Sequence, residues 1–176
     1  MYDIQLINVD MLRDAPILFN YIDADDQYLF FTKTTFTTQN KFRKWLMHKF
    51  QTAYHDFYMI RYRTEIIGFV HNYNFNVLDG RCTITVYIDK TYRKSGLGAY
   101  AAVKFMGVLF QTYPLRKIYA TVYDYNTASL KMIISAGFSK EGTLHAYRYF
   151  DDKYADLHIL SLDRETFNKK LGKLCL

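Results

Sequence analysis

The fold of this chain is decided by the stretch Val86-Tyr87-Ile88-Asp89-Lys90-Thr91-Tyr92-Arg93-Lys94-Ser95-Gly96-Leu97-Gly98-Ala99. It begins in a predicted strand, because large apolar side chains recur at every second position from Cys82 to Ile88. It ends in a predicted helix, because an apolar stripe at helical spacing runs from Ala101 to Leu109. A strand, a loop containing glycines and a helix therefore follow one another.

The loop has the features of a binding site for phosphate groups. The first residues of the helix expose backbone N–H groups that have no carbonyl partner within the helix. These residues are Gly96, Leu97, Gly98 and Ala99. Glycine permits a ligand to approach closely, and the helix dipole adds partial positive charge at this end. Arg93 and Lys94 add two cations and Ser95 adds a hydroxyl donor, so the loop suits a diphosphate.

A dinucleotide fingerprint is the closest competing interpretation of this loop. Gly96, Gly98 and Ala101 fit its tolerant form, and Asp124 lies near the distance expected of a ribose-binding acid. However, residues 89–95 separate the strand from the first glycine, where that fold turns almost at once. The preceding strands also read as antiparallel hairpins rather than βαβ units. We keep a dinucleotide-binding domain as a remote alternative.

The spacing of residues in the sequence excludes several other classes of phosphate, catalytic and metal sites. A P-loop needs Lys and then Ser or Thr after its last glycine, whereas Ala99 and Tyr100 follow Gly98. The sequence has no Gly-x-Ser-x-Gly elbow and no His-Glu-x-x-His motif, and its five His are dispersed. Cys82 and Cys175 are far apart and lack metal-ligand spacing, so we expect neither a disulfide framework nor a metal.

Composition limits the partners and the compartment. Of 176 residues, 50% are hydrophobic and 18% aromatic, which predicts one compact domain over 1–176. The net charge of +6 suits a polyanionic ligand, but the basic residues are scattered, so we do not expect nucleic acid as a partner. No segment resembles a leader or a membrane span, and we expect a cytoplasmic protein without a membrane partner.

The rest of the chain alternates between strand and helix patterns. Strands are predicted over residues 1–9, 57–63, 66–77, 82–88, 118–122, 143–150 and 154–162, with a further extended segment from Phe138. Helices are predicted over 10–20, 96–113 and 126–136, in a segment bearing Phe42, Trp45, Leu46, Lys49 and Phe50, and after Asp163 in a segment bearing Phe167, Leu171 and Leu174. Turns are predicted at Asp23-Ala24-Asp25-Asp26, Asp79-Gly80 and Asp151-Asp152-Lys153. The order predicts an α/β fold, a mixed and mostly antiparallel sheet of six to seven strands flanked by about four helices.

Residues 86–99 resemble the cofactor motif of the GCN5-related N-acetyltransferases (GNATs), Arg/Gln-x-x-Gly-x-Gly/Ala after a strand and a short loop. A second block resembles the same family, because Asn126-Thr127-Ala128-Ser129 opens a helix that Gly137-Phe138 closes. The resemblance is strong over 83–142 and weak before Phe57. Within the family the chain looks most like the branch that acetylates ribosomal-protein N-termini and related amines.

The resemblance implies a single-domain GNAT-like fold and a site for acetyl-CoA. Main-chain groups of Val86, Tyr87 and Ile88 would pair with the pantetheine arm of the cofactor. The segment 93–99 would hold the pyrophosphate, and Asn126 and Ser129 would approach the thioester. No metal is implied.

The catalytic residues are less clear from the resemblance. The Tyr that the family commonly places seven residues after the helix-opening Asn is Ile133 here, so Ser129 is the candidate general acid, with Tyr125 and Tyr123 as rivals. The position aligned with the base proposed for the N-terminal acetylator branch is Arg148. The remaining candidates for the base, by residue type alone, are Glu65, His71, Asp79 and Glu141.

The predicted function is acetyl transfer from acetyl-CoA to a primary amine by direct attack in a ternary complex. The acceptor could be a protein N-terminus, a polyamine, an amino sugar or another small amine. The missing Tyr and base leave an alternative, a sensor domain that binds acetyl-CoA without turnover. Aromatic strands near the C-terminus could also pair two copies of the chain as a homodimer.

Overall fold

The structure is a computed structural model and describes residues 2–22, 38–50 and 53–171. Within these ranges the strands are β1 (Ile4–Asn8), β2 (Phe57–Tyr62), β3 (Glu65–Asn76), β4 (Arg81–Ile88), β5 (Lys117–Tyr123), β6 (Ser139–Phe150) and β7 (Lys153–Asp163). The α-helices are α1 (Met11–Ile22), α2 (Gln39–Phe50), α3 (Leu97–Thr112), α4 (Thr127–Ser135) and α5 (Arg164–Lys170). A 3₁₀ turn, Lys90–Tyr92, lies between β4 and α3. None of these helices combines the length and the hydropathy that crossing a bilayer requires.

The strands form one seven-stranded sheet in the order β1-β2-β3-β4-β5-β7-β6. The pairs β1–β2, β2–β3, β5–β7 and β6–β7 are antiparallel. The pair β4–β5 is parallel and is joined through α3, with Arg81–Thr83 opposite Lys117–Tyr119. The predicted α/β fold with a mixed, mostly antiparallel sheet is therefore confirmed, including the single helical crossover.

Local capping signals explain where several elements begin and end. Asp10 Oδ1 accepts hydrogen bonds from the N–H groups of Leu12 (2.8 Å) and Arg13 (3.1 Å), so it caps α1, the helix predicted over 10–20. Gly137 ends α4 with a φ of +95°, a conformation that glycine adopts without strain. The β6–β7 hairpin turns on Asp151 and Asp152, which both have positive φ, as a two-residue turn of this hand requires. The predicted turn at 23–26, the side chains of Lys49 and Phe50, and Leu174 lie outside the described residues.

The chain divides into two compact units. Unit 1 comprises Met1–Asn72 and Val86–Ala101, and unit 2 comprises Tyr73–Thr85 and Ala102–Leu176. The core of unit 1 includes Phe42 and Leu46 from the predicted apolar face of α2, both fully buried. A single domain over 1–176 stays a prediction.

The core of unit 2 lies between α3, α5 and the strands β5 and β7. Phe105 and Leu109 of the predicted apolar stripe of α3 are fully buried, as are Ile118 and Leu160. Phe167 of α5 packs on this core, with its ring centre 5.0 Å from that of Phe110. Burying these side chains is the dominant stabilising contribution to the unit.

One asparagine of β3 is buried. Asn72 is fully buried in unit 1. Its amide donates to Tyr54 O at 2.9 Å and accepts from Asp56 N–H at 2.6 Å. The segment before β2 therefore covers this part of the strand and satisfies the buried amide.

Candidate active site

The predicted strand–loop–helix motif is present in unit 1. Asp89 Oδ1 accepts the N–H of Thr91 at 2.8 Å and opens the 3₁₀ turn. Lys94 and Gly96 then adopt positive φ angles of +63° and +82°. The backbone bond from Tyr100 N–H to Gly96 O, 3.1 Å long, closes the first turn of α3. The N–H groups before Tyr100 thus belong to a first helical turn, the geometry that favours an anion.

The Ser95 hydroxyl closes the loop on itself. Its Oγ donates to Tyr92 O at 2.5 Å and accepts from the N–H of Leu97 at 3.4 Å. The predicted role of Ser95 as a phosphate donor stays a prediction, and in this conformation its proton is directed at Tyr92.

Tyr2 holds the same loop from the N-terminal end of the chain. Its hydroxyl donates to Ser95 O at 2.7 Å, and its ring meets that of Tyr100 edge-on with centres 5.7 Å apart. A Cβ atom at Gly96 would lie 2.9 Å from the Tyr2 hydroxyl. Sequence reasoning missed Tyr2, because nothing in the local pattern of residues 1–9 relates it to a loop that lies far along the chain.

Arg93 is fastened to the end of β4. Its Nε donates to Ile88 O at 2.8 Å, and its guanidinium lies 5.5 Å from the centre of the Tyr87 ring. That ring is buried and stacks on Phe69 at 5.3 Å. These two contacts hold the Arg93 side chain at the end of β4. Its binding of pyrophosphate stays a prediction.

Gly68 lets the end of β4 approach β3 closely. A Cβ atom at Gly68 would lie 2.0 Å from the carbonyl oxygen of Tyr87, a separation that side chains do not tolerate. Asp89, two residues after Tyr87, donates its N–H to Ile67 O at 2.8 Å. Gly68 thus sets the path of the residues 86–88 that the resemblance assigns to pantetheine. The signal for it was an isolated glycine inside a strand pattern, which indicates close backbone approach.

The second block opens α4 in unit 2. Asn126 is the N-cap of this helix, and its Oδ1 accepts the N–H of Ser129 at 3.3 Å. The N–H of Asn126 donates to Tyr123 O at 3.0 Å. Asn126 and Ser129 therefore lie together at the start of the predicted helix, while their contact with a thioester stays a prediction.

Two rival general acids, Tyr123 and Tyr125, stack beside Arg148 of β6. The two rings are nearly parallel, with centres 5.2 Å apart. The Arg148 guanidinium lies 5.0 Å from the centre of the Tyr123 ring, and its Nη1 donates to Tyr125 Oη at 3.5 Å. Burial raises the pKa of Tyr123, and it raises the pKa of Tyr125 to about 12 against the opposing effect of Arg148. Both phenols are therefore protonated at neutral pH.

Two of the base candidates belong to unit 1 and have structural contacts there. Glu65 accepts the hydroxyl hydrogen bond of Tyr92. His71 stacks on Phe57 with ring centres 5.2 Å apart, and its Nδ1 lies 3.3 Å from His55 Nε2. These contacts account for the positions of both side chains, and neither position requires a catalytic role.

The other two base candidates are paired with cations in unit 2. Asp79 lies 3.2 Å from Arg81 Nε. Glu141 lies 2.7 Å from Lys117 Nζ, and the hydrogen bond from Lys117 lowers the pKa of Glu141. A carboxylate with a lowered pKa is a weaker base, so Glu141 is poorly suited to deprotonate an amine. In residues 2–22, 38–50 and 53–171, no three His, Cys, Asp or Glu side chains are grouped to hold a metal ion.

Curated relatives of the chain are named as N-acetyltransferases. The uncharacterized N-acetyltransferase YokL from the SPbeta prophage of Bacillus subtilis (strain 168) is 22% identical over 133 residues, 76% of this chain and 75% of that protein. The uncharacterized N-acetyltransferase p20 of Bacillus licheniformis is 27% identical over 159 residues, 86% of this chain and 88% of that protein.

Solved acetyltransferase structures share the fold. Spermidine N-acetyltransferase from Vibrio cholerae, solved with CoA and spermine, superposes with a TM-score of 0.84 at 15% identity over 94% of this chain and 98% of that one. The ribosomal L7/L12 α-N-protein acetyltransferase RimL, solved with CoA, superposes with a TM-score of 0.82 at 18% identity over 93% of this chain and 96% of that one.

A family model described as an acetyltransferase (GNAT) domain matches residues 6–139, which include β4, the loop between β4 and α3, and the Asn126 cap. The predicted resemblance is thereby confirmed, and the chain belongs to the GNAT acetyltransferase family.

Proposed function

We propose that this acetyltransferase acts in the cytoplasm and transfers the acetyl group of acetyl-CoA to a primary amine by direct attack in a ternary complex. The observation that carries the proposal is the start of α3, where the N–H groups before Tyr100 belong to the first helical turn and Arg93 and Lys94 directly precede that turn. A diphosphate needs this combination of amides and cations. The family assignment and the CoA complexes of RimL and the Vibrio cholerae enzyme support acetyl-CoA as the ligand.

The reaction places unequal demands on the two proton transfers. An alkyl amine with a pKa of about 10.4 is neutral in roughly one molecule in 10³ at pH 7, so the acceptor must lose a proton before it attacks. The thiol that leaves has a pKa of about 8.5 and departs with little help. A phenol such as Tyr125, whose pKa is raised to about 12, is a weaker acid than that thiol. Tyr125 is therefore better suited to donate a hydrogen bond than a proton. The Ser129 hydroxyl is a weaker acid still, so Ser129, as the proposed general acid, would act by donating a hydrogen bond to the sulfur as negative charge develops on it.

The solved relatives are named for different acceptors. The Vibrio cholerae structure contains spermine, a polycation, whereas RimL is named for a ribosomal protein N-terminus. The net charge of +6 disfavours a polycation as the acceptor of this chain. We keep a small amine and a protein N-terminus as the two acceptor classes.

A non-catalytic sensor of acetyl-CoA is the alternative, and a single experiment separates the two. Release of free CoA thiol is measured with acetyl-CoA and a panel of peptides, amino acids, amino sugars and polyamines, while CoA affinity is measured by calorimetry. An enzyme releases thiol with at least one amine above the rate of acetyl-CoA alone. Tight CoA binding without turnover on any acceptor would instead establish the sensor, and absence of CoA binding would refute both.

A homodimer through β6 is the proposed assembly. β6 lies at one edge of the sheet, and the surface of the β6–β7 hairpin exposes large apolar side chains. These are Leu144, Tyr147, Tyr149 and Tyr154. Light scattering coupled to gel filtration should give twice the chain mass of 20.9 kDa, and Tyr149→Glu should shift it towards the monomer.

A further inference from the structure

The side chain of Arg93 is directed back at the protein. Its Nε donates to Ile88 O at 2.8 Å, and its guanidinium carbon lies 5.5 Å from the centre of the Tyr87 ring. Its backbone N–H donates to Lys90 O at 3.4 Å and ends the 3₁₀ turn. Arg93 is half-buried, whereas the next residue, Lys94, is exposed. Arg93 therefore joins the beginning of the pyrophosphate loop to the end of β4.

The Tyr87 ring is a fixed support for this guanidinium. It is buried and stacks on Phe69, with ring centres 5.3 Å apart and planes inclined by 20°. The Tyr21 ring of α1 lies 5.0 Å from the Tyr87 ring, and the Tyr21 hydroxyl donates to Ile66 O at 2.9 Å. Burial raises the pKa of Tyr21 to about 12, so this donor keeps its proton at neutral pH. Residues of α1 and β3 thus hold the support from two elements of unit 1.

The carbonyl of Ile88 belongs to a constrained backbone segment. On one side of it, the carbonyl oxygen of Tyr87 lies so close to Gly68 that a Cβ atom there would be 2.0 Å away. On the other side, the N–H of Asp89 donates to Ile67 O at 2.8 Å. Both neighbours of Ile88 are therefore fixed by β3, and the acceptor atom has little freedom to move.

A guanidinium in this arrangement can organise the backbone around it. It lies within about 6 Å of an aromatic ring centre, the range of a cation–π contact, and it bonds a backbone carbonyl at the same time. It thereby links the two segments that the family resemblance assigns to the cofactor, residues 86–88 for pantetheine and 93–99 for pyrophosphate. Fixing these segments relative to each other before binding lowers the conformational entropy that is lost when one molecule binds both.

We propose that Arg93 is a positioning residue of the cofactor site, whose side chain holds the pyrophosphate loop against the end of β4, and that the Tyr87 ring is the platform through which it acts. The inference rests on the proposed binding of acetyl-CoA and gives Arg93 a role beyond its charge. A residue that only contacts the diphosphate leaves the conformation of the cofactor-free loop unchanged. A positioning residue changes that conformation before any cofactor is added.

Hydrogen exchange of the cofactor-free protein distinguishes these two roles. In Arg93→Gln we expect the amides of residues 89–100 to exchange about tenfold faster than in wild type, and calorimetry to show about tenfold weaker CoA binding. Arg93→Lys keeps the charge but loses the planar fork, so it should resemble Arg93→Gln in both measurements. Lys94→Gln is the matched control, because it removes the neighbouring exposed charge and should leave the exchange at the wild-type rate.

Three outcomes would overturn the role of Arg93. Weaker CoA binding with wild-type exchange would make its side chain a direct ionic ligand. Faster exchange with wild-type CoA affinity would restrict the side chain to the stability of the fold. Recovery of wild-type affinity in Arg93→Lys would show that the charge alone matters.

A double-mutant cycle tests whether Tyr87 acts through Arg93. Tyr87→Leu removes the ring but keeps an apolar side chain, and it should weaken CoA binding by about fivefold on its own. In the Arg93→Gln background the same change should weaken binding by less than about twofold, because the guanidinium that the ring supports is gone. Additive effects would overturn the platform. If Tyr87→Leu does not fold, Tyr87→Phe tests the ring, since it should bind CoA like the wild type and a loss of affinity would assign the role to the hydroxyl.

The wild-type protein separates failure of this inference from failure of the proposed function. It is assayed for CoA binding by calorimetry and for thiol release with the panel of amines. If it binds CoA and releases thiol while Arg93→Gln and Tyr87→Leu retain its affinity, only the present inference fails. If the wild type binds no CoA, the proposed function itself fails.

Discussion

The hydroxyl of Tyr2 donates a hydrogen bond of 2.7 Å to the carbonyl oxygen of Ser95, 93 positions away in the sequence. This bond connects the N-terminal end of the chain to the loop proposed to hold the pyrophosphate. The same hydroxyl lies where a side chain at Gly96 would be, so the loop and Tyr2 fit each other only because residue 96 is glycine. We expect Tyr2 to keep the loop amides in place before the cofactor arrives.

The first prediction concerns this bond. Tyr2→Phe keeps the ring against Tyr100 and removes only the hydroxyl, so the loop should sample more conformations and lose affinity for CoA. One hydrogen bond of about 1 kcal/mol corresponds to roughly fivefold in the dissociation constant. Calorimetry should show this loss, with kcat at saturating acetyl-CoA unchanged because Tyr2 does not touch the reacting atoms. Tyr154→Phe, the same change at an exposed site, should be neutral. Equal CoA affinity in the two variants would contradict the role of Tyr2.

The second prediction concerns Gly98. From the sequence, Gly98→Val is expected to abolish cofactor binding and leave the fold intact. The structure shows that a Cβ atom here would lie 3.1 Å from Ile88 Cγ1, so the absence of a Cβ atom at Gly98 also lets α3 pack on the end of β4. We therefore expect Gly98→Val to lower both CoA affinity and the melting temperature, and Gly98→Ala to do so less. Gly142→Ala, where a Cβ atom would have no neighbour within 4 Å, is the control. Loss of stability without loss of CoA affinity would show that Gly98 serves packing alone.

How much of the site could be predicted depends on how local each signal is. The helices that begin after Asp10, Asn126 and Asp163 could be predicted, because each capping side chain lies within a few residues of its target. The loop before α3 was predicted as well, but its 3₁₀ turn was not. The hydrogen bond from Tyr2 to Ser95 depends on which strands become neighbours in the sheet, and strand order cannot be predicted from a single sequence. The same holds for the aromatic surroundings of Arg148, where alignment alone showed only that an expected acid was missing.

The third prediction concerns Ser129 as the proposed general acid. Ser129→Ala removes the hydroxyl but keeps the backbone N–H that Asn126 accepts, so α4 should remain capped. We expect kcat to fall about tenfold at neutral pH, with KM for acetyl-CoA little changed, because a general acid acts in the transition state. Ser135→Ala, on the same helix with its hydroxyl bonded to Lys131 O at 2.8 Å, is the matched control. A kcat within twofold of wild type would show that the Ser129 hydroxyl takes no part in the reaction.

The fourth prediction concerns Arg164, which closes the C-terminal end of α3. Its guanidinium donates to the carbonyl oxygens of Phe110 (2.7 Å), Tyr113 (2.7 Å) and Leu115 (2.6 Å). A lysine cannot make this fork, so Arg164→Lys should lower the free energy of unfolding by on the order of 2 kcal/mol, and Arg164→Leu by more, since partly buried carbonyls lose their partner. Lys169→Gln, which breaks an exposed ion pair on α5, should cost well under 1 kcal/mol. Urea titration measures all three, and similar values for Arg164→Lys and Lys169→Gln would refute the capping role.

The fifth prediction concerns the acid stability that Asp163 contributes. Its carboxylate caps α5, accepting the backbone N–H and the hydroxyl of Thr166, both at 2.8 Å, and these bonds lower the pKa of Asp163 in the folded state. A lowered folded pKa means that the unfolded chain binds this proton first. The stabilisation is therefore complete above the ordinary aspartate pKa of about 3.9 and is lost as the pH falls through the lower folded value. Asp163→Asn keeps a capping side chain but cannot titrate, so the difference in unfolding free energy between wild type and variant should shrink as the pH falls from 6 towards 3. A difference that stays constant across this range would show that the charge of Asp163 does not stabilise the fold.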